Sequence, residues 1–123
     1  MKRLFVLMFL TLLSGCATVS VNGEARVRLF TVGEILKNCT SLSGKKVVVE
    51  GTYRGWSCPA DCRNPGITRS DVCITDSTGC IYLSGTGGLD PLTDRGKRVR
   101  VLALVSRKGS VCYLKPEKVD ELR

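Results

Sequence analysis

Five short segments rich in β-branched residues, separated by turns that contain glycine, constrain this chain more than any other feature of its sequence. In the fourth segment, apolar residues recur at every second position, at Val99, Val101, Ala103 and Val105. This period of two is typical of a strand with one buried face. The pattern predicts strands at residues 47–56, 71–75, 80–84, 98–106 and 111–114. The sequence therefore predicts a small all-β domain.

A short helix is predicted before the first strand. Thr31 and Glu34 have the spacing of a capping box, in which the threonine oxygen caps a free amide and the glutamate reaches back. Three apolar residues then fall on one face, and Asn38 favours a stop. We expect a helix of about two turns over residues 31–38.

The segments outside these elements are less determined. Residues 57–69 are predicted to form a loop, and residues 85–96 are irregular and rich in glycine. Residues 117–122 fit either an extension of the last strand or a helical turn. Residues 16–30 fit either a flexible tether or a small hairpin that turns at Asn22-Gly23, a pair that favours two-residue turns.

Two stretches resemble motifs of the OB-fold superfamily, the nucleic-acid-binding-like barrels. Residues 44–51 (GKKVVVEG) resemble the common opening of these domains, and residues 76–83 (DSTGCIYL) resemble the turn between their second and third strands. The resemblance covers about residues 31–119 and implies a five-stranded barrel. Many members carry a helix between strands three and four, but residues 85–96 are short and rich in glycine. The helix at residues 31–38 is the candidate to close the barrel instead.

The start of the chain has the build of a secretory signal over residues 1–15. A positively charged pair is followed by an apolar run over residues 4–13 and by two small residues. The run is about half the length needed to span a bilayer, which disfavours a transmembrane helix.

The tetrapeptide Leu13-Ser14-Gly15-Cys16 resembles the lipobox of bacterial lipoproteins. The resemblance implies that Cys16 carries diacylglycerol, often with palmitate-type acylation of its new amine, and becomes the first residue of the mature chain. Ala17, which is not aspartate, then points to the outer membrane, facing the periplasm, if the host is Gram-negative. The alternative is an ordinary cleaved signal or a chance match of these four residues.

We therefore expect a signal over residues 1–15, a tether or hairpin over residues 16–30 and one OB-like domain over residues 31–123. The formal charge of +8 falls to +6 when Lys2 and Arg3 are removed with the signal. A basic surface favours acidic partners such as nucleic acid, anionic lipid or acidic polysaccharide.

The chain contains no histidine, the commonest general base and metal ligand. This excludes hydrolysis by a Ser-His route, and none of the common catalytic or nucleotide-binding motifs is present. We expect a protein that is not an enzyme and needs no cofactor.

Six cysteines remain besides Cys16, and an even number in a small secreted domain predicts disulfides. A turn centred on residues 77–78 places Cys73 and Cys80 on one face of a hairpin, with the predicted loop able to fold over it. The loop and hairpin cysteines then form either two disulfides or, alternatively, a four-cysteine zinc site or buried free thiols. The remaining two cysteines would form the third pair. The four neighbouring cysteines are Cys58, Cys62, Cys73 and Cys80, and the third pair is Cys39 and Cys112.

Members of the OB-fold superfamily generally bind ligands on strands two and three with the flanking loops. By this resemblance, the candidate ligand face comprises Tyr53, Arg54, Trp56, Arg63, Arg69 and Tyr82. Aromatic rings stack on bases or sugars, and arginines bind phosphate or carboxylate groups. The alternative is that Trp56 covers the barrel mouth, that the tyrosines are partly buried strand residues and that the arginines are solvated.

Taken together, the sequence predicts a lipid-anchored, non-enzymatic OB-fold binding module of the cell envelope. Its partners would be the membrane, through the anchor, and an envelope protein or an acidic glycan. Single-stranded nucleic acid is the alternative ligand, although a place outside the cytoplasm disfavours it. A zinc or thiol-redox protein is the third interpretation, and a purely structural envelope protein with no small ligand is the fourth.

Overall fold

The computed structural model describes residues 18–21, 25–60, 62 and 71–123, with side chains from Arg28 onward. The predicted signal, Cys16, Arg63 and Arg69 lie outside the described residues. The elements are β1 Thr18–Val21, β2 Ala25–Phe30, α1 Val32–Lys37, α2 Cys39–Leu42, β3 Lys46–Gly55, β4 Val72–Asp76, β5 Gly79–Leu83, β6 Arg98–Lys108 and β7 Val111–Glu121.

Strands β3 to β7 form a closed, OB-like barrel, as the sequence predicted. They are hydrogen-bonded in the order β3-β4-β5-β7-β6, and a further pairing of β3 with β6 closes the ring. The parallel pairing of β5 with β7 is the only one of these that is not antiparallel. Strand β7 runs without a break to Glu121, so the last segment is a strand extension and not a helical turn.

The barrel interior is filled by the inward positions of β3 and β6. Val47, Val49 and Tyr53 of β3 are fully buried, and so are the four alternating residues of β6. Opposite Val99 of β6, the inward position of β3 is Gly51, where a Cβ would lie 2.6 Å from the carbonyl oxygen of Thr75. The close approach of β4 to β3 therefore requires glycine at this point.

One end of the barrel is closed by α1 and α2. The predicted capping box is present, since Thr31 Oγ1 accepts the Glu34 amide and the Glu34 carboxylate accepts the Thr31 amide. Val32 and Ile35 are fully buried in the core. The predicted stop at Asn38 is confirmed, since Asn38 is the C-cap of α1. A second short helix, α2, follows directly, and the carbonyl oxygen of Asn38 accepts the amide of Leu42.

The other end of the barrel is covered by the connection between β5 and β6, which contains no helix. Leu89 packs against the core from this connection. The carboxylate of Asp90 accepts the amides of Leu92 and Thr93, and that of Asp94 accepts the amide of Asp90. Capped turns thus replace the helix that many OB-folds carry here.

The segment before α1 forms a hairpin that joins the barrel sheet. Strand β1 pairs antiparallel with β2, with Thr18 opposite Arg28. Leu29 and Phe30 of β2 then pair in parallel with β3. Of the two predicted alternatives, the structure has the hairpin, although its turn at Asn22-Gly23 lies outside the described residues. No helix among the residues described here is long and apolar enough to cross a membrane.

Candidate functional site

The described part of the predicted loop, residues 57–60 and 62, lies on the outer face of β4 and β5. Cys73 pairs with Tyr82 and Thr75 with Cys80 across the hairpin, which is the predicted register. Two disulfides, Cys58–Cys73 and Cys62–Cys80, attach the loop to this face with Cα–Cα distances of 6.0 and 5.2 Å. Cys73 is fully buried although it points away from the barrel core. The described part of the loop is therefore held on the predicted ligand face.

A third disulfide joins Cys39 of α2 to Cys112 of β7, with a Cα–Cα distance of 6.2 Å. It matches the predicted third pair and fastens the helical end of the barrel to the last strand. Three disulfides in a chain of this size indicate an oxidising, extracytoplasmic environment.

The loop and hairpin cysteines form one compact group of sulfur atoms. The Sγ atoms of Cys58, Cys62 and Cys73 lie within 4.8 Å of one another. Zinc binds thiolates, whereas each of these sulfurs is bonded to another sulfur. The group is therefore a pair of adjacent disulfides, and a zinc site with four cysteine ligands would require reduction of both.

Tyr53 lies inside the barrel and not on the predicted ligand face. It follows the inward alternation of β3 and is fully buried in the core. Burial, with smaller effects of Asp94 and Asp90, raises the pKa of Tyr53 to about 12. Its hydroxyl has no hydrogen-bond partner among the described residues. Tyr53 is a core residue.

Tyr82 is on the outer face but is occupied by the loop. Its hydroxyl donates a hydrogen bond of 2.9 Å to the carbonyl oxygen of Cys62, and its ring packs against the sulfur cluster. Burial, with a smaller effect of Asp71, raises the pKa of the Tyr82 hydroxyl. Tyr82 therefore helps to hold Cys62 against the hairpin, and this contact limits the ability of the Tyr82 ring to stack on a ligand.

Beside the covered area, a cleft of about 320 Å³ remains open between the end of β3 and the β4–β5 turn. Arg54 forms one wall, and its Nε donates a hydrogen bond of 3.1 Å to Thr75 Oγ1. The guanidinium makes no ion pair with any carboxylate in the described part of the chain. The cleft is lined by Arg54, Pro59, Thr75, Asp76, Ser77, Thr78, Gly79 and Cys80.

The one carboxylate that lines this cleft, Asp76, is fully engaged in holding the structure. One of its oxygens accepts the amide of Val32 at 2.9 Å, and the other accepts the amides of Thr78 and Gly79. These donors offset its negative charge. The Thr78 hydroxyl is likewise engaged, since it donates to Asp76 and accepts the amide of Gly33. The cleft thus offers a guanidinium and the hydroxyls of Thr75 and Ser77 to an incoming ligand.

Trp56 is 55 % exposed and does not cover the barrel mouth. It lies where the loop leaves β3, and its amide donates a 3.4 Å hydrogen bond to the carbonyl oxygen of Pro91. Of the six predicted face residues, the structure therefore leaves Arg54 and Trp56 exposed. Arg63 and Arg69 remain predictions.

Sequence reasoning did not single out the hydroxyls of the cleft. Ser77 and Thr78 belong to the turn motif over residues 76–83, which predicted only a turn, and Thr75 directly precedes it. The motif connects predicted strands two and three, which form the predicted ligand face, and this position could have indicated that its hydroxyls lie near a ligand.

Solved structures with a similar fold support the architecture alone. The hypothetical protein YgiW from E. coli matches with a TM-score of 0.52 at 14% sequence identity, over 76% of this chain and 89% of that one. A "putative aspartyl-tRNA synthetase" from Leishmania major matches with a TM-score of 0.50 at 12% identity, over 98% of this chain and 26% of that one. No protein-family model and no curated protein matches the sequence.

Proposed function

We propose that this chain is a lipid-anchored binding module of the cell envelope that holds an acidic glycan through a carboxylate at Arg54. The observation that carries the proposal is the exposed guanidinium of Arg54 in a cleft on the strand face that OB-folds use for ligands. Arginine pairs with carboxylates through two parallel hydrogen bonds, which gives both affinity and orientation.

The remaining lining of the cleft suits a sugar. The hydroxyls of Thr75 and Ser77 both donate and accept, as sugar hydroxyls do. A volume of about 320 Å³ is at the small end of ligand pockets and fits one or two saccharide units. The basic charge of the chain favours a polyanion over a neutral glycan.

The placement of the tyrosines supports a glycan over single-stranded nucleic acid. Binding of single strands depends on a row of aromatic rings on which bases stack. Tyr53 lies in the core and Tyr82 is seated under the loop, so Trp56 is left as the exposed ring of the predicted face.

Anchoring and the lack of catalysis are further parts of the proposal. The lipobox-like residues 13–16 support lipidation at Cys16, and an outer-membrane place follows if the host has two membranes. The absence of histidine supports binding without catalysis. Labelled palmitate should enter the wild-type protein and not the Cys16→Ser variant; equal labelling of both would refute the anchor.

Calorimetric titration with oligogalacturonate, with its reduced neutral counterpart as control, tests the ligand. Arg54→Gln should weaken the affinity by about tenfold to a hundredfold, because a charge-assisted pair is lost. Lys115→Gln makes the same change of charge at an exposed position of β7 and should leave the affinity within about twofold.

A poly-glutamate peptide serves as the second arm of this test, since an acidic segment of an envelope protein presents the same carboxylate. Tighter binding of the peptide than of the glycan would move the assignment to a protein ligand. Equal binding by wild type and Arg54→Gln in both arms would refute the cleft as the site.

A further inference from the structure

The end of the barrel that α1 and α2 close carries an excess of positive charge. Four exposed cations lie there, on α1, before β3 and at the end of β6, and none makes an ion pair with a carboxylate in the described part of the chain. The Arg107 guanidinium donates a hydrogen bond of 3.1 Å to Thr40 Oγ1 of α2, which ties the end of β6 to the helices. We define the basic end as Lys37, Lys45, Arg107 and Lys108.

The carboxylates beside the basic end are already paired with other cations. Glu34 of α1 holds Arg28 at 3.1 Å, and Glu117 of β7 holds Lys46 at 3.3 Å. These pairs are neutral as a whole, so they leave the charge of the basic end uncompensated.

The opposite end of the barrel has a different balance of charge. Lys97 pairs there with Asp94 at 2.9 Å and with Glu121 at 3.4 Å. Asp90 and Asp120 add further negative charge to this end. The charge of the barrel is therefore asymmetric along its axis, with the positive excess at the helices.

The first strand brings the start of the described chain to the same end. Thr18 lies opposite Arg28 in the pairing of β1 with β2, and Arg28 reaches Glu34 of α1. Only Ala17 separates Thr18 from Cys16. Because an extended chain spans at most about 3.6 Å per residue, Cys16 lies within about 7 Å of Thr18. A lipid on Cys16 would therefore hold the helical end, and not the opposite one, close to the bilayer.

We infer that the basic end rests on the anionic headgroups of the membrane in which the chain is anchored, an inference that rests on the proposed lipidation of Cys16. Each lysine or arginine near an anionic surface strengthens the association by about fivefold, which corresponds to about 1 kcal/mol. This attraction extends over about 10 Å at moderate ionic strength, and the short link to Cys16 keeps the cations within such a range. The end that carries Trp56 then faces away from the bilayer.

The test places one reporter at each end of the barrel. The native tryptophan, Trp56, is the only one in the chain and follows β3, whose ten residues span about 30 Å. In the double variant Trp56→Phe, Ser110→Trp, the reporter moves to the exposed turn between β6 and β7, two residues from Lys108. Both lipidated proteins are reconstituted into phosphatidylethanolamine–phosphatidylglycerol vesicles that carry a quencher on the lipid headgroups.

We expect the reporter at position 110 to be quenched at least about twofold more strongly than Trp56, because it lies at the membrane and Trp56 does not. In vesicles of neutral phosphatidylcholine, this difference should disappear, because the anionic headgroups are absent. A high salt concentration should reduce the difference in anionic vesicles.

Paired charge variants, introduced into both reporter proteins, supply the matched control. Lys45→Gln with Lys108→Gln removes two cations of the basic end and should reduce the difference in quenching. Arg98→Gln with Arg123→Gln changes the net charge equally at exposed positions of the opposite end and should leave the difference unchanged.

Flotation with the vesicles separates the outcomes. A protein that floats but shows equal quenching at the two positions, or the same difference in neutral vesicles, overturns the orientation and leaves the anchor intact. An unchanged difference in the Lys45→Gln, Lys108→Gln variant overturns it too, and weaker binding of oligogalacturonate by that variant would assign the basic end to the glycan. A protein that does not float refutes the anchor, and the inference falls with it.

Discussion

The amide of Gly33 donates a hydrogen bond of 2.7 Å to Oγ1 of Thr78, a residue 45 positions further along the chain. The preceding amide, of Val32, binds the Asp76 carboxylate. The free amides at the start of α1 are thus satisfied by the β4–β5 turn as well as by the capping box. The turn motif therefore joins the helix to the barrel.

This relationship predicts a measurable role for the Thr78 hydroxyl in stability. Thr78→Val keeps the shape of the side chain and removes the acceptor, so we expect the free energy of unfolding to fall by about 1 kcal/mol. Thr78→Ser retains the hydroxyl and should lose less than half as much. Urea denaturation of the oxidised protein measures both; a Thr78→Val variant as stable as wild type would contradict the capping role.

Gly55 and Gly109 provide a matched test of how the loop beyond β3 docks on the β5–β6 connection. Both have positive φ, +58° and +64°, but a Cβ at position 109 meets no atom within 4 Å, whereas one at position 55 overlaps Pro91. Gly109→Ala should cost about 1 kcal/mol from backbone strain alone. Gly55→Ala should cost about 2–4 kcal/mol, because overlap is added to strain. Equal losses in thermal unfolding would show that the two segments are not packed as described.

Removal of the Tyr53 hydroxyl should stabilise the protein. At neutral pH, Tyr53→Phe eliminates a buried polar group that has no partner among the described residues, and the free energy of unfolding should rise by about 1 kcal/mol. A loss of stability in urea denaturation would reveal a partner for the hydroxyl.

Tyr53 also predicts an alkaline dependence of stability. Its pKa is raised from 10.0 to about 12 in the folded protein, so the unfolded chain releases this proton first. Below pH 10 the raised pKa has no effect on the pH dependence of the free energy of unfolding. As the pH rises from 10 toward 12, the free energy of unfolding falls by about 2 kcal/mol. Stability curves measured between pH 9 and about 11.5 should be flatter for Tyr53→Phe than for wild type. Parallel curves would contradict the raised pKa.

The three disulfides should differ in their contribution to stability. Cys39–Cys112 spans a sequence separation of 73, against 18 for Cys62–Cys80. The loop-closure relation gives about 4 kcal/mol for the longer link and about 3 kcal/mol for the shorter one. The variant in which Cys39 and Cys112 are both replaced by alanine should therefore have a lower melting temperature than the variant in which Cys62 and Cys80 are replaced. The reverse order would show that packing of the loop, and not chain entropy, dominates.

The parts of the structure that follow from local patterns were predictable from the sequence. Alternation placed Val99 and its β6 neighbours in the core, the capping box placed α1, and the turn at residues 77–78 set Cys73 opposite Tyr82. The same period of two carries Tyr53 inward with Val47 and Val49, so its exclusion from the surface could also have been predicted.

The loop pairing and the cleft could not be predicted in this way. Cys58 and Cys62 are separated from their partners by 15 and 18 residues, and chain entropy hardly distinguishes the two possible pairings with the hairpin. The cleft arises where Arg54 lies against the β4–β5 turn. This contact depends on the coiling of β3 and on the position of the described loop residues. Local sequence patterns do not encode such distant contacts. Lipidation of Cys16 and the roles of Arg63 and Arg69 stay predictions.

The cross-links of the loop have a consequence for how this protein can change. Cys62 is tied to β5, and Cys73 lies within β4, so the chain leaves the barrel and returns to it at two covalently fixed points. Residues 63–70 lie between these points. We expect substitutions and insertions in this stretch to have little effect on the stability of the barrel, because both disulfides remain in place.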